Sequence, residues 1–403
     1  MTADVLILGA GPAGSATAIA CARAGLRVAL VERSAFPRHA PGETLHPGAE
    51  PLLASLGVAD QVYAAGFLRH AGHWVAWKGP PRFEPFGHDV TGPWLGFQAW
   101  RPTFDALLLD HARRLGTHVL QPCRALRPLC ATGRVVGVAT DEGPLRARFI
   151  VDASGRRGWL AEQLQLETVC QGPRLVAWYG YAVGDCRQRD DAPAIVADET
   201  GWTWTARVRP RTYQWTRLAF DGGRPAGGWL PAEFAGLSPL TATRGADVTW
   251  RAATLPAGSG YFQVGDAAAV LDPASSHGVL KALMSGMMAA HLIVRCVRQG
   301  ASEPVAALAY NEWVHKWFEH DVRSLSELYA RLAVQQPLVP TASRPSRTSA
   351  RRRHTRAIKR PASKSTRYDK RKRAFPCRSS TPSGAFSIEP PLSRPTRSGT
   401  SSS

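Results

Sequence analysis

The stretch that most limits what this chain can fold into is its beginning, VLILGAGPAGSATAIACARAGLRVALVER at residues 5–33. Val5 to Leu8 is a short apolar run of the kind that forms a buried parallel strand. Gly9, Gly11 and Gly14 follow at GxGxxG spacing, and Ser15 to Ala24 is Ala-rich and free of breakers, which predicts a helix that Gly25 stops. Arg27 to Val31 predicts a second strand, ending at Glu32, 18 residues after Gly14. In such a β-turn-α-β unit the first glycine permits the tight turn. The second lets backbone approach a pyrophosphate, and the third lets helix and strand pack closely. Pro12 and Ala13 lie at the helix N-terminus, where free N–H groups and the dipole favour the phosphates. Glu32 is expected to accept hydrogen bonds from adenosine ribose hydroxyls, with Arg33 beside it. The motif alone leaves FAD and NAD both open.

A chain of 403 residues with 44% hydrophobic content can bury one large core or two ordinary ones. The net charge of +19 invites a nucleic-acid reading, but 17 Lys and Arg against 2 Asp and Glu fall within residues 342–403. That tail carries +15 and leaves +4 for the other 341 residues, so no nucleic-acid partner is expected for the body of the chain. Arg, Ser, Pro and Thr dominate the tail without apolar periodicity, which predicts disorder. It reads either as a basic arm or, preferably, as out-of-frame translation of a GC-rich gene. The apolar stretch 278–295 contains Lys281 together with glycines and serines, and is not read as a membrane span. Seven cysteines without paired or metal-type spacing predict reduced thiols, a cytoplasmic location and no metal site.

After Glu32, residues 34–42 read as a loop and Thr44 to Leu56 as a helix with Pro47 in its first turn. Here "GETLHPGAEPLLASLGV" resembles the GES/GET loop and helix of flavin-dependent monooxygenases and halogenases of the tryptophan-halogenase-like group. The resemblance implies that Glu43 and His46 lie near a flavin. Halogenases of the group place a lysine on a strand within the segment matching "GFLRHAGHWVAW", residues 66–77. Aligning its aromatic end puts Arg69 at or next to that position, with His70 as the neighbour if the alignment slips. An arginine is a poor carrier of an electrophilic halogen, so hydroxylation is the expected reaction and halogenation the alternative. "QAWRPTFDALLLDHARRLG" at 98–116 predicts a helix, and the family pattern it resembles makes Arg101 a contact to FAD.

Two further markers follow in the family's order. A strand leads into "DASGR", from Asp152 to Arg156, which resembles the second fingerprint near the FAD pyrophosphate and makes Asp152 and Gly155 candidates. "YFQVGDAAAVLDPASSHGVLKALMSGMMAA" at 261–290 resembles the third. There Gly265 and Asp266 end a strand, with Asp266 meeting a ribityl hydroxyl. Pro273 to His277 passes the isoalloxazine, and Gly278 opens a helix whose N-terminus stabilises negative charge on the flavin. Between these markers, 175–220 alternates with period 2 and is rich in Trp, Tyr, Val and Thr, which predicts antiparallel strands. Its aromatic face (Trp178, Trp202, Trp204, Trp215) suits either a substrate or a core.

The expected architecture is α/β: a Rossmann-like FAD-binding domain of glutathione-reductase type, discontinuous over 1–170 and 245–300. An inserted antiparallel substrate sheet covers 171–244, a helical segment 301–341, and the disordered basic tail 342–403. The resemblance implies a flavoprotein monooxygenase that uses reduced FAD and O2, through a C4a-hydroperoxide, to hydroxylate an aromatic or peptide-borne substrate. Electrons would come from NAD(P)H or a flavin reductase. The alternatives are a halogenase, an isoprenoid reductase and a non-catalytic FAD-binding or peptide-partner module. No residue stands out as acid or base, and His46, Arg69, His70 and His277 are the candidates.

Overall fold

A computed structural model describes residues 2–331 apart from Lys78. The tail 342–403 and the end of the segment 301–341 lie outside the described residues.

The opening unit folds as its pattern predicts. Strand Thr2–Leu8 runs into helix α1 (Pro12–Arg23) and then into strand Val28–Val31, which pairs parallel with the first. Gly9 makes the turn at φ +105°, and a Cβ there would sit 2.4 Å from the Ala153 carbonyl oxygen. Only a residue without a side chain accepts both conditions. The sheet continues from His118–Leu120 through Val28–Val31, Thr2–Leu8 and Gly143–Asp152 to Arg134–Thr140 and Ala125–Ala131. Tyr261–Gln263 adds parallel to Gly143–Asp152. The first and third markers are therefore separated by a single strand, although they lie far apart in sequence.

Six more α-helices follow among the described residues: α2 (Ala49–Leu56), α3 (Ala59–Ala64), α4 (Arg101–Arg114), α5 (Trp159–Leu164), α6 (Gly278–Arg298) and α7 (Glu303–Ala330). The helix expected from Thr44 starts only at Ala49, and Thr44–Leu45 is instead a strand paired with Gly96–Gln98. The cause is Pro47, which disfavours helical geometry at His46 before it. Helix α6 is long and apolar enough to cross a membrane. Its buried residues, Ala282, Gly286, Ala289 and Ile293 among them, pack it into the core. Gly286 allows the close approach to α1, with the Thr17 hydroxyl 3.2 Å from the Gly286 carbonyl.

The second large sheet runs Ser238–Pro239, Val176–Val183, Thr212–Ala219, Gly201–Arg209, Ala194–Asp198, Gly72–Ala76 and Arg82–Pro85. It is antiparallel except where Ala194–Asp198 meets Gly72–Ala76 in parallel. The expected boundary at 171 is thus crossed, because two strands of the sheet come from the first 85 residues. One apolar core joins both sheets, with Val5, Trp202, Leu218, Leu283 and Tyr310 in the same cluster. Burying that shared apolar surface is what holds the sheets as one body.

Candidate functional site

A cavity of about 560 Å³ lies at the carboxyl ends of the parallel strands and extends under the second sheet. Open parallel sheets bind ligands at this edge. Its walls bring together thirteen of the fifteen residues the sequence assigned to the cofactor. At one end Glu32 and Arg33 face it, together with Cys123 and Trp159. Glu32 is held in place by backbone: its Oε2 accepts from Ala10 N at 2.8 Å and its Oε1 from Ser34 N at 2.9 Å. Next come Gly9, Gly11, Pro12 and Ala13 at the amino end of α1, which no side chain caps. Gly155, Arg156, Gly265 and Asp266 also line it, and Arg156 Nη1 is 4.0 Å from Asp266 Oδ2.

Further along stand Glu43, Arg101, Pro273 and Gly278. Arg101 is aimed by a bidentate pair with Asp105 (2.8 and 3.0 Å) and donates to the Pro41 carbonyl at 2.8 Å. Glu43 is buried; its Oε2 accepts from Gly42 N at 2.9 Å and its Oε1 from the Tyr181 hydroxyl at 2.5 Å. Burial raises its carboxyl to about 7, against the opposing pull of Tyr181 and Arg101. The amino end of α6 also lacks a side-chain cap and opens on the cavity at Gly278. Two uncapped helix ends, a carboxylate oriented for a diol, and flanking guanidiniums match a diphosphate-linked cofactor with an anionic ring system.

Two expected contacts are elsewhere. Gly14 does not line the cavity: a Cβ there would be 1.9 Å from the Gly9 carbonyl oxygen, so its place is the helix-to-turn contact. Asp152 is fully buried and also off the cavity. Its Oδ1 accepts from Ser154 N and its Oδ2 from Leu160 N, so it ties down the turn that carries Gly155 and Arg156.

The catalytic candidates separate further. Arg69 points away from the cavity. It pairs with Glu50 at 2.6 Å, donates to the Gly96 and Leu95 carbonyls, and lies 3.9 Å over the Phe97 ring. The period-2 alternation of strand Leu68–His70 turns His70 inward, where Nδ1 lies 2.8 Å from the Gly72 carbonyl and burial lowers the imidazole to about 4. His277 does line the cavity, and its ring meets that of His46 edge-on at 5.1 Å. His46 Nδ1 accepts from Gly48 N at 3.0 Å. Burial lowers both, His277 to about 4, so this pair is neutral at neutral pH. Of the four tryptophans, only Trp204 faces the cavity; Trp202 and Trp215 are core. Among the described residues no group of three or more His, Cys, Asp or Glu could hold a metal ion.

Several lining residues were not marked as site candidates in the sequence. Arg38 sits in the loop after Glu32, Tyr179 and Gln214 on the second sheet, and Lys281, Trp317 and Asp321 on α6 and α7. Lys281 had one available signal, the single Lys, Arg, Asp or Glu within the apolar stretch 278–294. Nothing local distinguishes Asp321.

Residues 2–213 match the FAD binding domain family. A flavin-dependent halogenase of Armillaria mellea is 28% identical over 84% of this chain and 76% of its own length. A second from that fungus is 30% identical over 77% of this chain and 69% of its own. The myxobacterial chondrochloren halogenase superposes with a TM-score of 0.75 at 26% identity, covering 81% of this chain and 82% of that one. The site and fold define an FAD-dependent flavoenzyme of the oxidoreductase type, and FAD is its cofactor. Within that class the chain belongs to the flavin-dependent halogenase family.

Proposed function

We propose that the protein is a flavin-dependent halogenase acting on an electron-rich aromatic substrate, with electrons supplied by NAD(P)H through a flavin reductase. The supporting observation is similarity to halogenases along most of the chain, at up to 30% identity with two thirds of the relative covered. The sequence argument for hydroxylation rested on Arg69 occupying a reactive position, and its guanidinium is engaged by Glu50 outside the cavity.

Reduced FAD supplies the electrons that turn O2 and a halide ion into an electrophilic halogen. The chain's own residues bind, orient and exclude water. The amino end of α1, with Arg156, would neutralise the diphosphate. Glu32 would receive the ribose hydroxyls, and Asp266 a ribityl hydroxyl. The amino end of α6, open on the cavity, would stabilise negative charge on the reduced ring, in a site where a fixed dipole acts strongly. Glu43, titrating at about 7, can hold or release a proton at the cavity wall near neutral pH. Trp204, Tyr179 and Gln214 roof the site from the second sheet and limit water.

The test is turnover of the purified protein with FAD, a flavin reductase, NADH, O2 and chloride or bromide over a panel of indoles, pyrroles and phenols. Products bearing the halogen isotope doublet are expected. Oxygenated products alone would overturn the reading.

A further inference from the structure

A second cavity, of about 310 Å³, lies beside the cofactor cavity. It is enclosed by the turn Gly155–Arg157, helix α5, the strands Thr168–Cys170 and Arg251–Ala253, and the turn that follows Gly265. Arg156, Arg157, Asp266 and Ala269 line both cavities, whereas Arg251 and Thr168 line only the second. Nothing in the flavin site accounts for it. Ala267, Ala268 and Ala269 supply part of its wall with side chains too small to fill it, and the space is left open to three guanidiniums.

The donors of those arginines are unequally used. Arg251 is fixed in place: its Nη2 donates to the Arg156 carbonyl at 2.9 Å, and its Nη1 to the Thr249 carbonyl at 3.1 Å and Asp247 Oδ1 at 3.2 Å. Arg157 donates through Nε to Glu162 at 2.9 Å and keeps both Nη groups open. Arg156 donates no hydrogen bond among the described residues and meets Asp266 only at 4.0 Å. Its side chain is 37% exposed and that of Arg157 57%, so a ligand from solvent reaches both. An ion pair as exposed as Arg157–Glu162 is weak, and it leaves this guanidinium available to a stronger acceptor.

The charges set the class of ligand. Three guanidiniums against two carboxylates, Glu162 and Asp266, leave the pocket cationic. Its donors stand on separate elements: two arginines on the Gly155–Arg157 turn, and the Thr168 hydroxyl on its strand. A planar carboxylate is satisfied by one guanidinium fork. A tetrahedral phosphate presents oxygens in several directions and uses donors from more than one wall.

We propose that this pocket binds a phosphate group other than the cofactor's own, held by Arg156, Arg157 and the Thr168 hydroxyl, with Arg251 as fixed positive charge behind it. The inference is independent of the halogenase reading and requires only that FAD fills the larger cavity. Two sources carry such a group, inorganic pyrophosphate and a nucleotide, and the test separates them.

The full-length protein, saturated with oxidised FAD, is titrated with inorganic pyrophosphate, ADP and NADP+ by calorimetry, while flavin fluorescence reports any cofactor released. Pyrophosphate is expected to bind with FAD retained, and more weakly as salt is raised. Arg157→Gln should weaken binding about tenfold, the scale of a charge-assisted hydrogen bond, and Thr168→Val about threefold. Arg113→Gln, which removes the same charge away from the pocket, should change nothing and so measures the background from the basic residues 342–403. Tighter binding of either nucleotide than of pyrophosphate identifies a nucleotide as the ligand; equal or weaker binding identifies the free anion. Flavin content confirms the fold of each variant. Absence of binding by the unaltered protein overturns the proposal and needs no variant. Binding that is the same in Arg157→Gln and Thr168→Val as in the unaltered protein, or that occurs only as FAD is released, also overturns it.

Discussion

The Tyr181 hydroxyl donates to Glu43 Oε1 at 2.5 Å, joining residues 138 positions apart. One belongs to the second sheet and the other to a loop that lines the cavity, so this contact ties the sheet to that loop. Trp100 packs edge-on against Tyr181 at 5.4 Å and keeps the ring in line. Tyr181→Phe removes the donor and leaves a buried carboxylate oxygen short of a partner. A loss of about 1–3 kcal/mol is expected, measurable by urea unfolding of the FAD-bound protein. No change in the midpoint would show that the two halves are held together by other contacts.

Glu43 predicts a pH dependence whose sign follows from its raised value. Burial holds the folded carboxyl at about 7 against an ordinary 4.5. The folded state therefore binds the extra proton, and its advantage is full below the ordinary value and lost as pH rises through about 7. Glu43→Gln cannot ionise. Its stability relative to the unaltered protein should therefore climb between about pH 5 and pH 8, by up to roughly 3 kcal/mol. Urea midpoints at the two ends of that range test this. A difference that stays flat, or falls, means the carboxylate is better solvated than its surroundings indicate.

Gly286 is where α6 comes closest to α1. A Cβ added there would lie 2.4 Å from the Ala13 carbonyl oxygen and 2.9 Å from Thr17 Oγ1. Gly286→Ala should push the helices apart at a cost of about 1–3 kcal/mol. Ala13 lines the cavity, so flavin content should fall together with the melting temperature. A lower melting temperature with full flavin retention would confine the strain to α6.

Arg69 should be bystander to the chemistry. Its ion pair with Glu50 is partly exposed and it lies flat on Phe97. Arg69→Gln is expected to cost about 1 kcal/mol while leaving flavin content and product identity unchanged. A switch between halogenated and oxygenated products in this variant, read by mass spectrometry, would return Arg69 to the active site.

Much of the flavin-binding half was legible because its constraints are local. A turn at positive φ needs Gly9, an apolar run before it needs a sheet interior, and an acid after the next strand falls on the cavity wall. Each lies within about thirty residues of the others. The departures have equally definite causes. Asp152 sits in a recognisable motif but faces Ser154 N and Leu160 N rather than the cavity, a difference of one side-chain direction at the end of a strand. Arg69 and His70 are neighbours on opposite faces of a three-residue strand, and no periodicity can be read from so short a run.

From sequence alone follow the β-turn-α-β unit, the FAD markers at 9–14, 152–156 and 265–278, and the apolar strands and helices that carry them. Those features depend on backbone conformation and burial, which neighbouring residues dictate. Tertiary structure alone decided which side chains share the cavity. It set strand Gly72–Ala76 parallel to Ala194–Asp198, brought Tyr181 onto Glu43, and placed Asp321 3.2 Å from Lys281. Such pairs are created when separate apolar faces are buried together, and residues far apart in the chain carry no local mark of the partner they will meet.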